Sequence, residues 1–112
     1  MAQQISFRVE RVNELIKREL VLLLSKETKD PRLQEVVITD VIVTRDLTSA
    51  KVFFSVEESS QKSVAVLLNK ASGFFRVSLS KILDLRHTPS LNFIYDTAPN
   101  AGARMEDLLS KI

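Results

Sequence analysis

Between Phe7 and Leu24 the apolar residues Val9, Val12, Ile16, Leu20 and Leu23 recur every three or four positions, a spacing that puts them on one stripe of an α-helix. Ser6 stands where an N-cap hydroxyl accepts a first-turn amide, and Asp30-Pro31 ends the segment. From Gln34 to Thr44 the pattern changes: Val37, Val41 and Val43 occupy one parity and Val36, Ile38 and Ile42 the other. This predicts a strand covered on both faces and broken by Asp40. Arg45-Asp46-Leu47-Thr48-Ser49 supplies turn-forming side chains, and Ala50 to Val56 resumes with Val52, Phe54 and Val56 on one face, so the two runs predict a hairpin.

Ser59-Ser60 is placed to cap a second helical segment, with Val64, Leu67, Leu68 and Ala71 on its stripe. Phe75, Leu79, Ile82 and Leu83 form another stripe beyond Ala71-Ser72-Gly73. A glycine inside a helical pattern costs about 1 kcal/mol against alanine, so it marks a bend, a close packing contact or a functional approach. The prediction is a kinked helix pair. Thr88-Pro89 then forces an extended start, and Leu91, Phe93 and Tyr95 alternate in a third strand, parallel to an earlier one because a helical crossover precedes it. A short last helix after Pro99-Asn100 carries Met105, Leu108, Leu109 and Ile112. The order α-β-β-α-kink-α-β-α predicts an α+β fold over residues 1–112, a single domain with helices packed on one face of a small mixed three-stranded sheet.

Composition narrows the chemistry. The 112 residues contain no cysteine, one histidine and two glycines 29 positions apart. That removes disulfides, thiolate nucleophiles, His clusters and every Gly-rich phosphate loop, GxxG included. No catalytic residue, metal or cofactor is expected, and a small hydrolase would lack a nameable nucleophile and base. His87 reads as a strand-entry or helix-end residue. The longest apolar run, Leu20 to Leu24, is far short of the ~20 residues of a membrane helix, so no membrane partner is expected, and the absence of cysteine suits a cytoplasmic protein. Sixteen Lys and Arg against fourteen Asp and Glu leave only +2, which by itself proves no nucleic-acid partner.

Local physics points to the kink. Bending a helix frees the first amides of its second half, expected here at Phe74, Phe75 and Arg76, and the dipole there attracts phosphate oxygens. Lys70 and Arg76 stand three residues either side of Gly73. Equally, Gly73 would simply let the pair pass close to the sheet. Arg8, Arg11 and Arg18 share a narrow arc of the first helix, with Glu10, Glu14 and Glu19 interspersed and Glu14–Arg18 at ion-pair spacing. Arg45, Lys81, Arg86 and Arg104 extend the basic inventory. Phe53, Phe74, Phe75, Phe93 and Tyr95 are either base-stacking platforms or core, and core packing is the expectation.

Asp30-Pro31-Arg32, Arg45-Asp46-Leu47, Ala50-Lys51-Val52, Asn69-Lys70-Ala71-Ser72-Gly73-Phe74-Phe75-Arg76, Leu85-Arg86, Thr88-Pro89, Phe93 and Asp96 occur in one order along the chain. In that set the chain resembles the ribosome-binding factor A family, from Arg8 to Leu109. The resemblance implies a type II KH-like fold whose GxxG clamp is replaced by an Ala-x-Gly kink, here Ala71-Ser72-Gly73. It implies a monomer that binds the free small ribosomal subunit late in assembly and contacts its ribosomal RNA near the decoding region. Such a factor aids rRNA end maturation indirectly, especially in the cold, and works beside a possible assembly GTPase. By the same resemblance RNA is met first by Lys70, Ser72, Gly73, Arg76 and Lys81, then by Arg8, Arg11 and Arg45. Many members carry a polar extension after the domain, whereas this sequence stops at Lys111-Ile112, so no tail function is expected. The rival class is a protein-interaction domain that docks through its kinked helix, with apolar anchors and little salt dependence.

Overall fold

The first apolar stripe becomes helix α1 (Ala2–Lys26), which buries Val12, Ile16, Leu20, Leu23 and Leu24. The computed structural model describes residues 2–26, 28–83 and 87–97, with side chains in α1 described from Arg8 onward. The helix expected after Pro99, together with Leu85, Arg86 and Arg104, lies outside the described residues. Ser6 is not a cap, because α1 begins at Ala2 and runs through it. Ala2, Gln3 and Gln4 favour helix and nothing among them stops it. After Lys26, the Thr28 hydroxyl donates to Leu24 O at 2.6 Å and satisfies a last-turn carbonyl.

Asp30-Pro31 does more than end a helix. Asp30 caps the four-residue helix α2 (Pro31–Gln34): its Oδ1 accepts from the Arg32 amide at 3.0 Å, and the Arg32 guanidinium donates to both carboxylate oxygens at 3.2 and 2.9 Å. These bonds hold the Asp30 carboxyl below the usual carboxylate range. Leu33 from this turn enters the core.

Strand β1 (Val37–Val43) pairs antiparallel with β2 (Ser49–Ser55), and β2 pairs parallel with β3 (Ser90–Tyr95), giving the order β1-β2-β3. The expected two-faced burial of β1 is wrong. Register slips between Ile38 and Asp40, leaving Thr39 as a bulge whose hydroxyl donates to Asp96 Oδ2 at 2.7 Å. One extra residue reverses the inward parity. Val36 and Ile38 before it, and Val41 and Val43 after it, are all buried, while Val37 is 60% exposed. In the turn, Asp46 Oδ1 accepts from both Thr44 and Thr48 hydroxyls at 2.7 Å and from the Thr48 amide, and Leu47 takes a positive φ of 62°.

A 3₁₀ turn (Glu58–Ser60) runs straight into α3 (Gln61–Lys70), followed by α4 (Ser72–Ile82). Ser60 makes no side-chain cap, because the tighter turn already carries bonds from the Ser60 amide to Glu57 O and from the Gln61 amide to Glu58 O. Val64, Leu68, Phe75, Leu79 and Leu83 are buried, whereas Ile82 is exposed. Helix α1 lies over β1, α3 and α4 lie over β3, and α1 meets α4. The result is α+β: helices on one side of a mixed three-stranded sheet, as the hydrophobic pattern predicts.

The outer edge of β3 is clipped by one side chain. Asn69 Nδ2 donates to Phe93 O at 3.1 Å, and the Phe93 amide donates to Asn69 Oδ1 at 3.0 Å, so an amide side chain stands in for the next strand. Asn69→Ala leaves both main-chain groups without that partner and is expected to cost about 1–3 kcal/mol in urea unfolding. Asn92→Ala, exposed on the same strand, is expected to stay within about 0.5 kcal/mol.

Candidate nucleic-acid interface

The break between α3 and α4 is a single residue. Ala71 sits at φ −86°, ψ 1°, well off the helical ψ of about −42°. Its amide still closes α3 by donating to Leu67 O at 3.0 Å, and its carbonyl accepts the first bond of α4 from the Phe75 amide at 3.1 Å. The amides left without a partner inside α4 are therefore those of Ser72, Gly73 and Phe74. This corrects the expectation of Phe74, Phe75 and Arg76: the Phe75 amide is occupied, and Arg76 lies a turn into the helix.

Gly73 is exposed, has no positive φ, and a methyl built on it would meet nothing within 4 Å. Close packing against the sheet is not its role. What the missing side chain leaves bare is the solvent side of the first turn of α4, at the positive end of that helix's dipole.

Charge singles out the same element. From Gln61 to Leu83 there is no Asp or Glu, while Lys62, Lys70, Arg76 and Lys81 are all exposed. Without those four of the sixteen, the rest of the chain holds twelve cations against fourteen acids. A chain of net +2 therefore concentrates its positive field on one helix pair. Sequence reasoning missed Lys62, although the acid-free run was there to be read.

Lys70 is the last residue of α3, and neither it nor Lys81 forms an ion pair with a described residue. The Arg76 Nε donates to Thr88 O at 3.0 Å, which ties its guanidinium to the entry of β3. That entry adjoins the hairpin turn, since the Ser90 amide donates to Thr48 O. Arg45 is exposed in that turn. The Val43 amide donates to Asn13 Oδ1 at 2.8 Å, so the half of α1 bearing Arg11 comes to the same end of the sheet, with Arg8 one turn earlier. The structure thus groups Arg11, Arg45 and Arg76 at one end.

On α1 the field is mixed: Glu10, Glu14 and Glu19 remain among the arginines, and Arg18 lies 3.8 Å from Glu19 rather than pairing with Glu14. Of the aromatic candidates, Phe75 and Phe93 are core, Phe53 and Tyr95 are half-buried, and Phe74 is exposed. His87 is exposed. Among the described residues no group of three or more His, Cys, Asp or Glu could hold a metal ion, and no helix is long and apolar enough to cross a membrane.

The fold matches solved structures. The crystal structure of ribosome-binding factor A from Thermus thermophilus superposes with a TM-score of 0.73 at 20% identity, over 80% of this chain and 98% of that one. Coordinates of a Thermus thermophilus ribosome binding factor A homology model, fitted into a cryo-EM map of a 30S complex of that factor, match with a TM-score of 0.62 at 24% identity over 77% and 92%. The family described as ribosome-binding factor A matches residues 8–109, and the ribosome-binding factor A of Vesicomyosocius okutanii is 62% identical over 98% of this chain and 96% of its own. This chain belongs to the ribosome-binding factor A family.

Proposed function

We propose that this protein binds the free small ribosomal subunit and its ribosomal RNA as a late assembly factor. Residues 1–112 act as one monomeric, cytoplasmic domain. The observation that carries the reading is the helix pair α3–α4, which bears four exposed cations and no acid and is interrupted at Ala71. Family membership and the 30S complex of the Thermus protein support the same partner. Contact is mainly to phosphate and sugar, through Lys70, Ser72, Gly73, Arg76 and Lys81, with Arg8, Arg11 and Arg45 as outer contacts. The contact lies near the decoding region, and the factor assists rRNA end processing indirectly, above all in the cold. It does no chemistry itself; an assembly GTPase is a candidate for releasing it.

Its mechanism is a population shift. The factor favours an immature arrangement of the RNA only in proportion to how much better it binds that arrangement than the mature one. Co-sedimentation with immature subunits, mature subunits and joined ribosomes at two salt concentrations tests this. Preferred, salt-sensitive binding to immature small subunits is expected; equal binding to all three, or binding to large subunits alone, contradicts it.

The rival reading, a helix docked on a protein, draws on the exposed Val66, Phe74, Val77 and Ile82. It predicts an affinity that barely responds to salt, whereas each neutralised phosphate adds roughly −0.7 to −0.9 to the slope of log affinity against log salt.

A further inference from the structure

Two adjacent phenylalanines have opposite fates. Phe75 is fully buried and meets Phe93 at 5.7 Å between ring centroids, while Phe74 is 50% exposed and touches Phe75 edge-on at 5.5 Å and 64°. The Phe74 ring thus rests against a core ring while half of its surface stays exposed. It stands at the third position of α4, in the same first turn as Ser72 and Gly73, and no Cβ at Gly73 intervenes. Val77, also exposed, and Lys81 follow at three- and seven-residue spacing on the same side of α4.

We propose that Phe74 is a stacking platform for an unpaired nucleobase, so that one nucleotide is held at two points: its phosphate by the turn at Ser72-Gly73 and its base by the Phe74 ring. The proposal rests on the RNA-binding reading above and adds the recognition of single-stranded RNA to it. A base offers a flat π-face on an anionic backbone, which fits an exposed ring on the same helix side as Lys81, in a helix pair that also carries Lys62, Lys70 and Arg76 and has no acidic residue between Gln61 and Leu83. An apolar protein anchor would meet the same uncompensated positive field.

The test compares an oligoadenylate of about 12 nucleotides, within the span of single-strand sites, with an abasic strand of the same phosphate count. Wild-type protein is expected to prefer the adenylate by roughly 5- to 100-fold, the range of one stacked base. Phe74→Leu is expected to lose that preference while its salt slope stays unchanged, and Phe74→Tyr to keep it. Lys70→Gln is expected to retain the preference and flatten the slope by about 0.7. Salt-dependent binding without base preference in the wild type, or a preference that survives in Phe74→Leu, overturns the platform and leaves the phosphate contact standing. No salt-dependent binding to either strand or to small subunits overturns both. A photo-crosslinking side chain at position 74 is expected to label rRNA in the subunit complex; labelling of a ribosomal protein instead overturns the proposal.

Discussion

Phe54→Ala is expected to lower unfolding free energy by about 3–5 kcal/mol, against a total of about 5–15 for a domain of this size. Phe54 is fully buried on β2, the strand between the two others, and its ring meets Tyr95 edge-on at 5.8 Å. Removing it takes away apolar burial and leaves a cavity that neighbours on all sides only partly fill. With a urea dependence of about 1–3 kcal/mol per M, the unfolding midpoint should fall by about 1 M or more. Val37→Ala, on the uncovered side of the same sheet, should change the unfolding free energy by less than about 0.5 kcal/mol. Equal costs at the two sites would contradict the one-sided core.

Replacing Lys70, Arg76 and Lys81 together by glutamine is expected to weaken binding to small subunits by roughly two orders of magnitude near 0.1 M salt and to flatten the salt dependence by roughly 2–3. Both figures follow from three neutralised phosphates at about 0.7–0.9 each. Stability should change little, because all three side chains are exposed and none forms an ion pair with a described residue. The substitution does remove the hydrogen bond from Arg76 Nε to Thr88 O, which lies at the exposed entry of β3. Full affinity in the triple variant, measured beside an unfolding curve that shows it folded, would move the RNA contact elsewhere on the molecule.

Helical stripes were readable because burial imposes their spacing: Val64 and Leu68, then Phe75 and Leu79, repeat at four residues and all reach the core. Phe74, one position off that stripe, is left exposed beside the buried Phe75. The bulge at Thr39 was not readable. Val36 to Val43 are apolar at both parities, and only pairing with β2 decides where the extra residue goes. Ser6 and Ser60 misled because a hydroxyl near a helix start is common, and the preceding residues determine whether the helix has already begun. At the kink, glycine drew attention to itself while the backbone broke at Ala71, a residue with no local preference for breaking. The leading amides of α4 are therefore those of Ser72–Phe74 rather than the expected Phe74–Arg76, while the flanking cations stay where they were expected.

The most direct test is the affinity of Gly73→Asp for immature small subunits. A carboxylate in the first turn of α4 suits the helix dipole and should stabilise the fold by about 0.3–1 kcal/mol, and the space for its Cβ is empty. Yet it puts a negative charge where phosphate is meant to sit. A variant at least as stable as the parent that binds at least tenfold more weakly is the predicted result; unaltered association would contradict the claim that these amides hold RNA.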